Sequence, residues 1–253
     1  MNLLVTYAVE AEFAPWRALR DLQKVTVGGV ELHRAQIGRA TVDFVITGMG
    51  PENAGRVAQA FISKNYSFCI ISGFAGALKP SVKLATIVVP EKVQNHGTHQ
   101  TEMCDASLLA QASETGATRI TTMLTTDHVV NTAAEKSSLS AYAEAVDMES
   151  YAILHAANTK SVPAAAVRVI SDSFDRAMPA ELDTMVDPQG HVKIAGVVRY
   201  VAKHPLMVPA LVRLGRDSKT AAEALTNFLE SYINRLSSAH RNPPPALHEV
   251  AAS

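Results

Sequence analysis

Three places in this sequence set carboxylates directly after short apolar runs: Glu10 and Glu12 behind LLVTYAV, Asp147 and Glu149 in VDMES, and Asp172 in VRVISDSFD. In open α/β sheets ligand groups collect at the carboxyl ends of strands, and carboxylates held there can do general acid–base work. Each has a structural alternative of equal standing when taken singly, because an acidic residue opening a helix favours the dipole and caps free amides. Three such places, together with the small-residue stretch Ser72-Gly73-Phe74-Ala75-Gly76-Ala77 that lets backbone approach a ligand, favour a site. Other candidates are thinner. His96 and His99 in QNHGTHQ lack a third clustered ligand and read as solvated loop histidines. Asp127-His128 has no nucleophilic serine in a strand–turn–helix elbow to serve. Cys69 and Cys104 have no C-x-x-C spacing, which argues against a disulfide framework and a structural zinc. No metal and no cofactor is expected.

The 253 residues carry 23 Lys+Arg against 24 Asp+Glu, a formal net charge of −1. No sign-biased field is present to neutralise phosphates, so a small-molecule substrate is expected and nucleic acid is not. The opening MNLLVTYAVEAE is too short an apolar stretch for a spanning helix and lacks a basic leader, so the expectation is an unprocessed cytoplasmic chain. The length fits one α/β domain.

The carboxylates need elements to place them. Asn2 to Tyr7 reads as a buried strand feeding a helix from about Glu10 to Leu22, with Phe13, Trp16, Leu19 and Leu22 at helical spacing. Val25–Val27, Val30–Gln36 and Thr41–Thr47, punctuated by Gly28-Gly29 and Gly38-Arg39, read as a meander, and a helix follows from about Glu52 to Lys64. Further strands are expected at Phe68–Ile71 leading into the glycine turn, Ala85–Val93, Arg119–Thr125, Glu144–Val146 and Pro163–Ile170. Helices are expected near Ala133–Ser138 and Glu149–Ala157. The alternation gives an α/β class with a mixed sheet. From about His191 to Leu236 the pattern is helical, interrupted by Pro205 and Pro209, and 237–253 reads as a disordered tail.

Taken in order, TYAVEAEF, TGMGPENA, SGFAGAL, TTDHVVN, VDMESYAI and VRVISDSFD resemble the nucleoside phosphorylase and nucleosidase superfamily from Met1 to about Arg176. The resemblance implies a single-domain α/β fold with a central mixed β-sheet partly closed into a barrel and flanked by helices, and chemistry at the N-glycosidic bond of a purine nucleoside. The wording is similar to that of methylthioadenosine/S-adenosylhomocysteine nucleosidases. AVEAE resembles their AMEEE and implies that Glu12 activates the attacking water. Met148-Glu149 resembles their ribose-binding pair, with Glu149 on the hydroxyls and Met148 packed on the sugar. Ile170-Ser171-Asp172 resembles the segment whose aspartate protonates purine N7. TTDHVVN implies that Val129 and Val130 border the base, where the family has a stacking aromatic at the position of Val129. Gly73, Phe74, Ala75 and Ser171 complete the expected substrate wall, and a homodimer joined around TGMGPENA is implied as well; Val57 and Phe61 on the following helix offer an apolar stripe that suits such a contact and packing on the parent sheet equally.

Breaking a ribosyl C–N bond builds positive charge on the sugar and negative charge on the base, so an anion near the ribose and an acid near N7 suit it. For Asp172 to donate at neutral pH, burial or a neighbouring carboxylate has to favour its protonated form. The superfamily's phosphate-binding segments, GDPxRA and RVGSCG, are not intact here. Ile71 stands at the phosphate-arginine position and Phe74 at the serine position, which favours water over phosphate as nucleophile.

The stretch MVDPQGHVKIAGVVRYVAKHPLMVPALVRLGRDSKTAAEAL resembles the C-terminal region of the hopanoid-associated phosphorylases, which implies removal of adenine from adenosylhopane. A lipid-linked substrate needs an apolar channel, and Val197, Val198, Tyr200, Val201, Leu206, Met207, Val208, Leu211, Val212 and Leu214 could line one or could be core. Arg199, Lys203, Arg213 and Arg216 beside them leave a peripheral membrane contact open. Three functions therefore stand: a hydrolase, a phosphorylase using the same pocket, and a non-catalytic nucleoside-binding module.

Overall fold

The computed structural model describes residues 1–27, 30–175, 204 and 208–239. The Gly28-Gly29 turn, residues 240–253 of the expected tail and the apolar candidates Val197, Val198, Tyr200, Val201, Leu206 and Met207 lie outside the described residues, as do Pro205, Arg199 and Lys203, whereas residues 237–239 of that expected tail are helical.

Ten strands form one mixed sheet. They are β1 (Asn2–Tyr7), β2 (Gln23–Val27), β3 (Val30–Ile37), β4 (Ala40–Ile46), β5 (Phe68–Ala77), β6 (Ile87–Asn95), β7 (Thr101–Met103), β8 (Thr118–Thr125), β9 (Ala145–Asp147) and β10 (Ala164–Asp172). Because β10 pairs with both β6 and β5, the strands β5, β9, β8, β6 and β10 close on themselves as a barrel. From β5 an open wing continues through β1 and β4 into the antiparallel meander β4-β3-β2. Strands β1, β5 and β10 are mutually parallel and buried on both faces, which accounts for their near-continuous apolar runs.

Two strands run further than the residues suggest. β5 carries straight through Ser72–Ala77, so the glycine-rich stretch is a strand and not a turn. β10 extends to Asp172, with a register shift between Ile170 and Asp172. A bulge of this kind next to a cavity re-aims a side chain, and here it sets Asp172 opposite Gly76.

The helices are α1 (Glu10–Leu19), α2 (Pro51–Phe61), α3 (Ala106–Glu114), α4 (Ala133–Leu139), α5 (Ser150–Thr159) and α6 (Val208–Ala239). α3 and β7 are absent from the sequence reading. Phe61 is buried in the chain's own core and Val57 packs half-buried against it. α6 is one helix of 32 residues. Pro209 lies in its first turn, where a missing amide costs nothing, so it does not break the helix as the sequence suggests. Ala221, Ala222, Leu225, Leu229, Tyr232, Ile233 and Leu236 recur at helical spacing and are buried, and the Tyr232 hydroxyl donates to the Leu108 carbonyl at 2.8 Å. This face seats α6 against α1, α3 and the barrel. Among the described residues no helix is long and apolar enough to cross a membrane.

Candidate active site

The turn after β1 delivers Glu12 to the third position of α1, where its carboxylate reaches back to the start of the helix. Oε2 accepts from the amides of Ala8 at 2.8 Å and Val9 at 3.1 Å, and Oε1 accepts from the Phe74 amide on β5 at 2.7 Å. The helix-capping role and the site role coincide in this residue: the capping bonds fix the carboxylate while it lines a cavity of about 260 Å³. Burial pushes Glu12 above the usual carboxylate range, although Arg168 and the three amides pull the other way. A raised value strengthens a general base. Glu10, two residues before it, points elsewhere and pairs with Arg17 at 2.7 Å, while Arg20 pairs with Glu230 on α6. Neither arginine lines the cavity.

Strand β9 pairs antiparallel with the C-terminal end of β5, Val146 opposite Gly76, and Asp147 and Glu149 behind it line the same cavity as Glu12. Holding the three carboxylates together is Arg168, buried in the middle of β10. Its Nη2 lies 2.5 Å from Asp147 Oδ2 and 3.6 Å from Glu149 Oε2. Nε and Nη2 also donate to Ser150 Oγ at 3.1 and 3.0 Å, and Nη1 donates to the Ser72 carbonyl at 3.2 Å. Thr125 Oγ1 donates to Asp147 Oδ1 at 2.7 Å, and Asp147 Oδ2 accepts from the Ser150 amide at 3.1 Å. Asp147 thus serves the start of α5, whereas Glu149 makes no such cap and accepts from the Gly50 amide at 2.9 Å, at the start of α2.

Glu149 is perturbed in the same direction. Burial raises it to about 8, Arg168 opposes that, and the nearby Asp147 and Glu12 charges add to it. A carboxyl raised in the folded state stabilises the fold at low pH, and that contribution fades as pH climbs from the ordinary 4.5 through about 8. Glu149→Gln removes the titration. Thermal unfolding of the two proteins across this window should show wild type losing ground to the variant as pH rises, and a gap that does not change with pH would contradict the assignment.

At the opposite end, Asp172 is buried as the sequence requires, but its partner is an ammonium and not a carboxylate. Lys136 Nζ on α4 donates to Asp172 Oδ2 and, at 2.7 Å, to the Ser173 carbonyl. Gly76 keeps the opposing strand clear: a Cβ there would lie 3.7 Å from Asp172 Oδ2. Val129, Val130, Ala75, Met148 and Ser171 line the same cavity, and Leu214 and Ser218 of α6 reach it. His128 stands at its mouth, half-exposed between Asp127 and Glu135, each 2.7 Å away.

Of the expected residues, Glu12, Phe74, Ala75, Val129, Val130, Met148, Glu149, Ser171 and Asp172 share this one cavity. Gly73 does not line it. It sits behind the wall at φ +142°, where an added Cβ would fall 2.4 Å from Arg168 Nη1 and 2.6 Å from Glu12 Oε1, so it makes room for the arginine and not for a ligand. The sequence reading passes over Arg168 and Lys136. The one available signal is an arginine inside an otherwise apolar strand, which a buried carboxylate has to answer.

The fold has counterparts among solved structures. The futalosine hydrolase of Helicobacter pylori superposes with a TM-score of 0.72 at 17% identity, over 92% of this chain and 97% of that one. The 5′-methylthioadenosine/S-adenosylhomocysteine nucleosidase of the same organism gives 0.72 at 16% identity over 92% and 98%. The S-adenosylhomocysteine nucleosidase of Streptococcus pyogenes, in complex with 5-methylthiotubericidin, gives 0.72 at 17% identity over 93% and 97%. These likenesses establish the fold. The family model of the phosphorylase superfamily matches residues 2–198, most of the chain and every strand described above. A match of this extent shows the family: the chain belongs to the phosphorylase superfamily.

Proposed function

We propose that this enzyme hydrolyses the N-ribosidic bond of a 5′-substituted adenine nucleoside, releasing adenine. The observation that carries the reading is the opposition of two acidic ends across one cavity: Glu12, Asp147 and Glu149 around Arg168 on one side, and Asp172 on the other. Glu12 takes a proton from the water that attacks C1′, Glu149 holds the ribose hydroxyls against Met148, and Asp172 supplies a proton to N7 of the leaving base. The carboxylates stabilise the positive charge that grows on the sugar.

Water is favoured over phosphate by the lining. No Arg or Lys lines the cavity among the described residues, Arg168 spends its donors on Asp147, Ser150 and the Ser72 carbonyl, and Ile71 is buried in the core. Among the described residues a phosphate dianion would meet carboxylates with no free guanidinium to receive it.

For the 5′ substituent we propose the hopane chain of adenosylhopane. The support is the resemblance of the C-terminal segment and the position of Leu214 and Ser218, which bring α6 to the cavity wall. Val208 and Val212, six and two residues before Leu214, are exposed apolar residues on the same helix. The cavity volume of about 260 Å³ suits a nucleoside head and favours the rival reading, a compact methylthio substituent. Leu214→Glu separates the two. Adenine release from adenosylhopane is expected to fall about 10-fold or more, the worth of roughly one or two buried methylenes, with methylthioadenosine cleavage much less affected. Equal losses on both substrates would remove the lipid from the proposal. A homodimer of the kind implied by the resemblance remains part of this reading, and sedimentation at micromolar concentration tests it.

A further inference from the structure

The hydrolytic reading leaves one buried charge without a task. Lys136 is 0% exposed, yet it does not line the cavity and is held by a helix of only 7 residues. An ammonium is rarely stripped of water for packing, because methionine or leucine would fill the same space without the desolvation penalty. Among the described residues Lys136 touches the carboxylate at the base end, through Asp172 Oδ2, and the carbonyl of the residue that follows it. We infer that Lys136 is the positioning residue of the acid: it pins Oδ2 and so fixes the Asp172 carboxyl at the base end, and it keeps a proton within the pair for the departing base. This rests on the hydrolytic reading of the site.

The geometry constrains Asp172 from both sides. The bulge after Ile170 turns it off the strand, Gly76 leaves the space next to Oδ2 free of a side chain, and Lys136 reaches across from α4 to hold that oxygen. Among the described residues the other charges in or beside the cavity lie toward the ribose or the mouth: Glu12 on α1, Asp147 and Glu149 after β9, Arg168 on β10, and His128 with Asp127 and Glu135. The cation of Lys136 therefore sits at the end where the purine accumulates negative charge, and the carboxylates sit where the sugar becomes positive. As the C1′–N9 bond breaks, its electron pair leaves with the purine and one proton passes from the Lys136–Asp172 pair to N7, giving neutral adenine. The attacking water forms the new C1′–O bond and gives its proton to Glu12. Solvent then takes the proton from Glu12 and returns one to the pair.

The test compares substrates that differ in their need for that proton. Wild type, Lys136→Met and Lys136→Gln are assayed for turnover of methylthioadenosine and of its N7-methylated cation, whose base leaves without protonation. For Lys136→Met, kcat on methylthioadenosine should fall about 10²-fold or more, with KM within about threefold, while the N7-methylated substrate loses less than about threefold. Lys136→Gln, which keeps a donor and a polar occupant, should fall between the two and serves if the methionine variant does not fold. A second measurement needs no modified substrate: Lys136→Gln combined with Asp172→Asn should be no slower than Asp172→Asn alone, since both act on one step. Equal losses on both substrates, or additive losses in the double variant, would reduce Lys136 to a structural residue. If wild type releases no adenine without phosphate, the hydrolytic reading fails instead, and that outcome is distinct from either.

Discussion

Asp172→Asn is expected to lower the turnover of an adenine nucleoside by about 10²–10⁴-fold while leaving nucleoside affinity within a few-fold of wild type. The amide keeps the size of the carboxyl and can still accept from Lys136, so the bulge and the cavity wall need not move. It cannot pass a proton to N7. The loss should therefore appear in kcat and not in KM, and equilibrium binding of a non-hydrolysable nucleoside analogue checks that the pocket survives. Turnover within about threefold of wild type would mean that the base is protonated from elsewhere or leaves unprotonated.

The second large effect is on stability. Arg168 is 1% exposed and is the shared cation of Asp147, Glu149 and Glu12, so Arg168→Met leaves carboxylates buried without it. Breaking a buried pair by removing one partner typically costs about 3–5 kcal/mol, and in a chain of this size each kcal/mol moves the thermal midpoint by roughly 2–4 °C. Ser150 Oγ and the Ser72 carbonyl lose their donors at the same time. The deficit should narrow as pH falls, because protonating Glu12 and Glu149 removes the charge that Arg168 compensates. Calorimetry across pH reads both the size and the trend. A loss below about 1 kcal/mol at neutral pH would show that the carboxylates are not held by this arginine.

How far these residues could be foreseen follows from their physics. Glu12, Glu149 and Asp172 are legible because an acid directly behind an apolar run is a local pattern, and the ordered motifs resemble a known superfamily. Arg168 and Lys136 act through partners distant in sequence: Lys136 lies 36 positions from Asp172, and nothing in AAEKSSL separates it from an ordinary solvated lysine. The glycine stretch of β5 reads locally as a turn, and only its pairing with β10 and β9 makes it a strand. α3 carries a visible signal that the reading missed, since Asp105 caps the amides of Ser107 and Leu108. At α6 the error is one of position: proline breaks a helix interior but is tolerated in the first turn, and where the helix starts is decided by packing on α1 and the barrel.

The central claim, that water and not phosphate is the nucleophile, is open to one direct measurement. The protein is incubated with methylthioadenosine in phosphate-free water enriched in heavy oxygen, and adenine and the ribosyl product are read by mass. The expected result is free adenine with a ribosyl product carrying a single heavy oxygen, at a rate that added phosphate does not raise. Adenine release that begins only when phosphate is supplied, with formation of the ribosyl 1-phosphate, would contradict it.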